Sequence, residues 1–121
     1  MKVIKQQDII DSIADACQYI SYFHPEDFVK GMVEAYEVEK GEAAKNAIGQ
    51  ILINSKMCAM GHRPMCQDTG SVNIFIKVGL NAKLELTKEL VDVLNEGVAK
   101  GYTNPDNTLR YSVVSDPAGK R

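Results

Sequence analysis

Apolar residues recur every three or four positions through the first sixty residues, and that rhythm stops at Gly61. A three-and-four spacing lays one apolar stripe along a helix, and such a stripe must be buried against a neighbour. Eleven residues further on, Val72, Ile74, Ile76 and Val78 alternate with Asn73, Phe75 and Lys77, the period of a strand. The change of period predicts an α+β fold. An N-terminal helical layer is expected over 1–61, leading into a small mixed sheet with a covering helix over 62–121.

The first helix is expected over residues 6–22, with Ile9, Ile10, Ile13, Ala16, Cys17 and Ile20 on its inner face. Pro25 then occupies a position that a first helical turn tolerates, and Glu26 and Asp27 favour the positive end of the helix dipole. This second helix should turn Phe28, Met32, Ala35 and Tyr36 inward and stop near Gly41 as a left-handed cap. A third helix over 42–60 should bury Ala44, Ala47, Ile48, Ile51, Leu52 and Ser55 and end at Gly61. Residues 62–70 hold proline, glycine and charge without an apolar period, so they read as loop.

Beyond the strand predicted at 72–78, Gly79 closes the element. Thr87 is placed to cap a fourth helix, with Leu86 and Val91 spaced for a hydrophobic staple. That helix should carry Leu90, Val91, Leu94 and Val98 on one side and finish at Gly101. Residues 102–108 should be irregular, 109–114 are a candidate second strand, and 115–121 form a polar tail.

Charge and cysteine usage narrow the function classes. A net charge of −2 with scattered Lys and Arg offers no electrostatic footprint for nucleic acid or an anionic membrane. No secretory signal follows Met1, and no apolar run reaches the roughly 18 residues that a membrane span requires. The three cysteines, Cys17, Cys58 and Cys66, form no Cys-x-x-Cys pair, so reduced thiols in a cytoplasmic protein are expected rather than a disulfide scaffold. Cys17 and Cys58 sit inside helical patterns and read as core.

Cys66 is different. It stands in a polar loop with His62, Arg63, Gln67, Asp68 and Thr69, beside a cation that favours thiolate. Loops between rigid elements are where catalytic side chains gather, although a purely structural turn would use some of the same residues. His62 reads as a solvated loop residue or a substrate group, and Arg63 as a steering charge or a surface ion-pair partner. His24 beside Pro25 reads as part of a helix start. Met57, Met60 and Met65 read as gap fillers, and Tyr102 and Tyr111 as packing residues. The acidic run Glu34, Glu37, Glu39 and Glu42 reads as a solvated helix face, because no calcium-loop spacing accompanies it.

The run Arg63-Pro64-Met65-Cys66-Gln67-Asp68-Thr69-Gly70 resembles the first cluster-ligand motif of the iron–sulfur (class I) fumarate hydratases and the similar tartrate dehydratases. The opening segment with Tyr19-Ile20-Ser21-Tyr22-Phe23-His24-Pro25, and Thr108-Leu109-Arg110-Tyr111-Ser112, extend the resemblance over the whole chain. It implies a hydro-lyase that hydrates fumarate to L-malate with a [4Fe–4S] cluster held by three cysteines. Cys66 would be one ligand and two further cysteines would come from beyond residue 121. Gln67 and Asp68 would face a small dicarboxylate, Asp68 would deliver a proton to the leaving hydroxyl, and Arg110 would clamp a carboxylate. The rest of the enzyme chain is an implied partner, as is a second copy in a homodimer. The 121 residues alone are expected to be inactive.

Three rival readings stay open: a tartrate dehydratase of the same family, a cysteine-nucleophile enzyme using Cys66 with His62 and Asp68, and a non-catalytic helical interaction module.

Overall fold

The computed structural model describes residues 1–65 and 72–103. The order of elements is β1 (Lys2–Lys5), α1 (Gln6–Tyr22), α2 (Glu26–Val38), α3 (Glu42–Gly61), β2 (Ala82–Glu85) and α4 (Leu90–Thr103). Among the described residues, four helices and a two-stranded parallel sheet give an α+β fold, as the periodicities predict. It divides into two compact units, Met1–Gln18 with Asp68–Arg121, and Tyr19–Gln67, the division falling within α1.

In the first unit, β1 and β2 pair in parallel with Ile4 opposite Leu84 and Val3 opposite Lys83. The Lys2 N–H donates to Asn81 O at 2.9 Å, which extends the ladder by one bond. Ile4, Ala82 and Leu84 are half-buried while Val3, Lys83 and Glu85 are exposed, so each short strand turns one side inward. The strand predicted at 72–78 is absent, and 72–79 has no regular secondary structure. An alternating pattern specifies which side of a strand would be buried, but the strand also requires a partner for its backbone groups. Here β1 and β2 partner each other. Phe75, the intervening aromatic, is 95% exposed. A turn closed by Ala82 N–H donating to Gly79 O at 3.0 Å then leads into β2.

α1 and α4 pack closely. Gly97 and Gly101 bring the α4 backbone against Ile10, Ile13, Ala14 and Cys17 of α1. Val93 is fully buried one turn before Gly97. The fully buried residues of α4 are Val93, Gly97 and Gly101; of the predicted Leu90, Val91, Leu94, Val98 face, Leu90, Leu94 and Val98 are half-buried and Val91 is exposed. Small residues won because they permit backbone approach, which a search for large apolar side chains overlooks. Likewise Ile10, Ala14 and Cys17 are buried on α1, while Ala16 and Ile20 are exposed.

Thr87 does not cap α4. The first helical bond runs from Val93 N–H to Glu89 O, and the helix begins at Leu90, so the predicted staple between Leu86 and Val91 has no helix start to span. The Thr87 N–H and hydroxyl instead donate to Gln6 Oε1 at 2.8 and 3.1 Å, tying the approach to α4 to the start of α1. The Gln18 amide donates to Gly101 O at 2.9 Å near the other end of the pair, and Lys100 forms an ion pair with Asp11.

The second unit holds the last turn of α1 with α2 and α3. Tyr36 lies along Gly49, with Lys45 over its ring at 4.7 Å. The His24 Nδ1 and Ser55 Oγ are 2.9 Å apart, and the His24 ring stacks on Phe28. Pro25 is the N-cap of α2, one position before the expected one. Gly41 is not a left-handed cap; its φ of −73° is extended backbone, and it is the N-cap of α3. No α2 residue is fully buried, Phe28 and Tyr36 stay partly exposed, and Ala44, Ala47 and Ile51 of α3 face outward. Cys58, on the half-buried side shared with Leu52 and Ser55, is the buried residue of α3.

The predicted irregular segment 102–108 overlaps α4 at Tyr102 and Thr103; its remainder, the candidate strand at 109–114 and the tail lie outside the described residues.

Candidate functional site

Three contacts of the second unit anchor the chain as it leaves α3. His62 is the one non-glycine residue with positive φ among those described, at φ 49° and ψ 50°. Its N–H and that of Arg63 both donate to Cys58 O, the latter at 3.2 Å, closing the helix end in the manner that usually recruits glycine. Histidine tolerates this left-handed conformation better than most residues, though at a cost. The imidazole stacks on the buried Tyr22 ring at 5.4 Å with 6° between the planes, and Phe23 meets it edge-on at 5.9 Å. Two residues after Arg63, the Met65 N–H donates to Ser21 O at 2.9 Å. The Met65 side chain is 4% exposed. The residue that follows is Cys66.

The residues singled out for chemistry, Cys66, Gln67, Asp68 and Arg110, lie outside the described residues, as do Thr69, Gly70 and Tyr111. His62 is exposed but committed to the Tyr22 stack, and Arg63 is exposed. Met65 is a buried filler as expected, whereas Met57 and Met60 are exposed. Ser21 and Tyr22 were not anticipated as supports for this loop. They are both buried, and their place four and five residues after Cys17 was the available signal.

The other two cysteines are both buried. Burial pushes the Cys17 thiol up from its ordinary value. The Cys58 thiol is buried and donates to Asn54 Oδ1 at 3.8 Å, one helical turn away. Both are core residues, in line with their helical patterns. Among the described residues no group of three His, Cys, Asp or Glu side chains is arranged to hold a metal ion, and no helix is long and apolar enough to cross a membrane. Cys66, the third cysteine, lies outside the described residues.

The first unit also holds a groove of about 380 Å³ lined chiefly by Ile4, Ile9, Ile13, Val78, Leu84 and Leu94. Its lining is mostly apolar, with Asp8, Ser12 and Lys77 as its polar members, so it is suited chiefly to apolar surface.

Comparison with known proteins gives this loop its context. The family model described as fumarate hydratase (Fumerase) matches residues 10–121. A protein of Methanocaldococcus jannaschii named "Putative L(+)-tartrate dehydratase subunit alpha" is 32% identical over 106 residues, 88% of this chain and 36% of that protein. The L(+)-tartrate dehydratase subunit alpha of Escherichia coli K12 is 29% identical over 113 residues, 91% of this chain and 36% of its own length. The chain thus spans about a third of the length of these relatives. With the match running from the second turn of the periodic opening helix through Cys66 to residue 121, the chain belongs to the fumarate hydratase (Fumerase) family.

Proposed function

We propose that the chain contributes to a hydro-lyase that reversibly adds water to a four-carbon unsaturated dicarboxylate, in the first instance fumarate to L-malate. The observation that carries this reading is the family match over 10–121, which includes Cys66-Gln67-Asp68-Thr69-Gly70. Cys66 is the candidate ligand of a [4Fe–4S] cluster, with two further cysteines supplied from outside these residues. Bound there, the cluster supplies a Lewis-acid iron for a hydroxyl and carboxylate oxygen.

The chain's own part is binding and proton handling. The Arg110 guanidinium has the planar fork that holds a carboxylate through two parallel bonds. Gln67 orients the substrate beside it. In the dehydrating direction the C–O bond breaks, and Asp68 in its protonated form delivers the proton with which hydroxide leaves as water. A base from outside these residues takes the proton from the adjacent carbon, and the electron pair of that C–H bond forms the double bond.

A second reading, dehydration of L(+)-tartrate, is favoured by the names of both relatives, which are also called alpha subunits. On that reading the complementary residues come from a separate partner chain. On the first they come from the same chain, working as a homodimer. Either way the thiol chemistry suits the reducing cytoplasm.

Anaerobic reconstitution of the complete protein, with any partner chain, tests the proposal. Iron and sulfide are assayed while fumarate and L(+)-tartrate turnover are followed in parallel, for the parent and for Cys66→Ala. The parent should bind iron and turn over one substrate much faster than the other, and the variant should lose both properties. A Cys66→Ala protein with parental iron content and rate ends the proposal.

A further inference from the structure

We infer that Met65 is a positioning residue, which fixes the chain at the position preceding Cys66 by locking it to the last turn of α1. The functional importance of that fixing rests on the proposed role of Cys66. The geometry does not.

The argument begins with the cost of the arrangement. A helix exit that puts histidine in the left-handed region stores backbone strain, and it persists only where surrounding contacts over-determine it. Those contacts are present and all lie in the second unit. Tyr22 stacks on His62, Arg63 N–H closes back on Cys58 O, and Met65 N–H donates to Ser21 O. Between the stack and the last bond stand Arg63 and Pro64. Both are exposed, so the chain bridges from one fixed point to the other across the surface.

Met65 is the end of that bridge. Its burial is unlike that of the other methionines near the loop, Met57 and Met60, whose side chains are exposed. The pair of constraints, one on the side chain and one on the N–H, leaves the residue little translational or rotational freedom. The α-carbon of Cys66 is one trans peptide, about 3.8 Å, from that of Met65. Fixing Met65 therefore limits where the Cys66 sulfur can go. A ligand held from several points of a protein must be positioned to within about half an ångström, and a fixed neighbour in the chain narrows the search for that position.

The experiment compares the complete protein with Met65→Ala, which empties the pocket, and Met65→Leu, which refills most of it. Three quantities are read: amide hydrogen exchange at residue 65, the rate at which iodoacetamide alkylates Cys66 in the metal-free protein, and iron bound after anaerobic reconstitution. Melting temperature is measured alongside. In the parent the residue 65 amide should be protected. Met65→Ala should raise its exchange by about tenfold, a local opening on the order of 1.4 kcal/mol easier. The Cys66 alkylation rate should change by at least about threefold, iron content should fall, and Met65→Leu should restore all three.

A lower melting temperature with alkylation rate and iron content unchanged makes Met65 an ordinary core residue and overturns the inference. So does an unprotected amide in the parent. Should the parent bind no iron while exchange and alkylation behave as described, the cluster reading fails and the positioning role stands.

Discussion

Gly97→Ala should destabilise the first unit, although alanine is the better helix former. An ideal Cβ at Gly97 would lie 2.7 Å from Ile13 Cβ, 2.9 Å from Ile13 Cγ2 and 3.0 Å from Ile10 O. Carbon atoms in contact rest at about 3.5–4.0 Å, so α1 and α4 must part by roughly 1 Å. No side-chain rotation relieves this, because the nearest atoms are a Cβ and a main-chain carbonyl. Parting the helices also loosens Val93 and Ile10, both fully or almost fully buried. A gap of that size forfeits up to about half of each affected contact. Overpacking costs about 1–3 kcal/mol, and against an immovable Cβ and carbonyl the upper part of that range, about 2–3 kcal/mol, applies, with about 1 kcal/mol recovered from helix propensity. The net loss should be about 1–2 kcal/mol, or roughly 5–15 °C in melting temperature for a domain of this size. Gly31 in α2 is the control: nothing lies within 4 Å of a Cβ built there, so Gly31→Ala should gain up to about 1 kcal/mol. Thermal and urea unfolding followed by circular dichroism distinguish the two. A Gly97→Ala protein as stable as the parent would show that the close approach of α4 to α1 has been misread.

Two pH dependences follow from individual groups. The Lys100 ammonium, and secondarily the Gln7 amide, hold the exposed Asp11 carboxyl below its ordinary value of 3.8. Any stability from this pair is complete above that value and lost as pH falls through the lowered folded-state value. An NMR titration should give an Asp11 midpoint below 3.8 that rises in Lys100→Met, and a parental midpoint at or above 3.8 would contradict the ion pair. Burial raises the Cys17 thiol above its ordinary value of 9.0, and burial chiefly raises Tyr102 above 10.0. Both groups stabilise the fold below those values, and that stability declines as pH rises past them. Urea midpoints should fall between about pH 9 and 11, less steeply in Cys17→Ala; an equal slope in that variant would exclude Cys17 as a contributor.

Where the sequence was legible, it was legible for a physical reason. The bounds of α1 were readable to the residue, and those of α3 within one, because each is a long periodic segment with a clear stop. The inner faces were read less well. Counting large apolar side chains favours Ile20, Ile51 and Val91, which are exposed, over Ala14, Gly97 and Gly101, which make the closest helix contact. Both strands were missed. Lys2–Lys5 has only two apolar residues between lysines, and Ala82–Glu85 is built from helix-forming types, although its period-two alternation was available to be read. The supports of the candidate site were hidden for a different reason: Ser21 and Met65 are 44 positions apart, and nothing local announces a bond between them.

By itself, then, the sequence determined the helical opening, the α+β class and the assignment of Cys17 and Cys58 to the core. Periodicity and local composition act over one or a few turns, and those features need nothing more. Tertiary structure decided which segments became strands, which helix faces met and what holds the exit of α3. Each of those outcomes depends on a partner distant in the chain, Leu84 for Ile4, Ile13 for Gly97, Ser21 for Met65, and a one-dimensional pattern carries no record of distance in space.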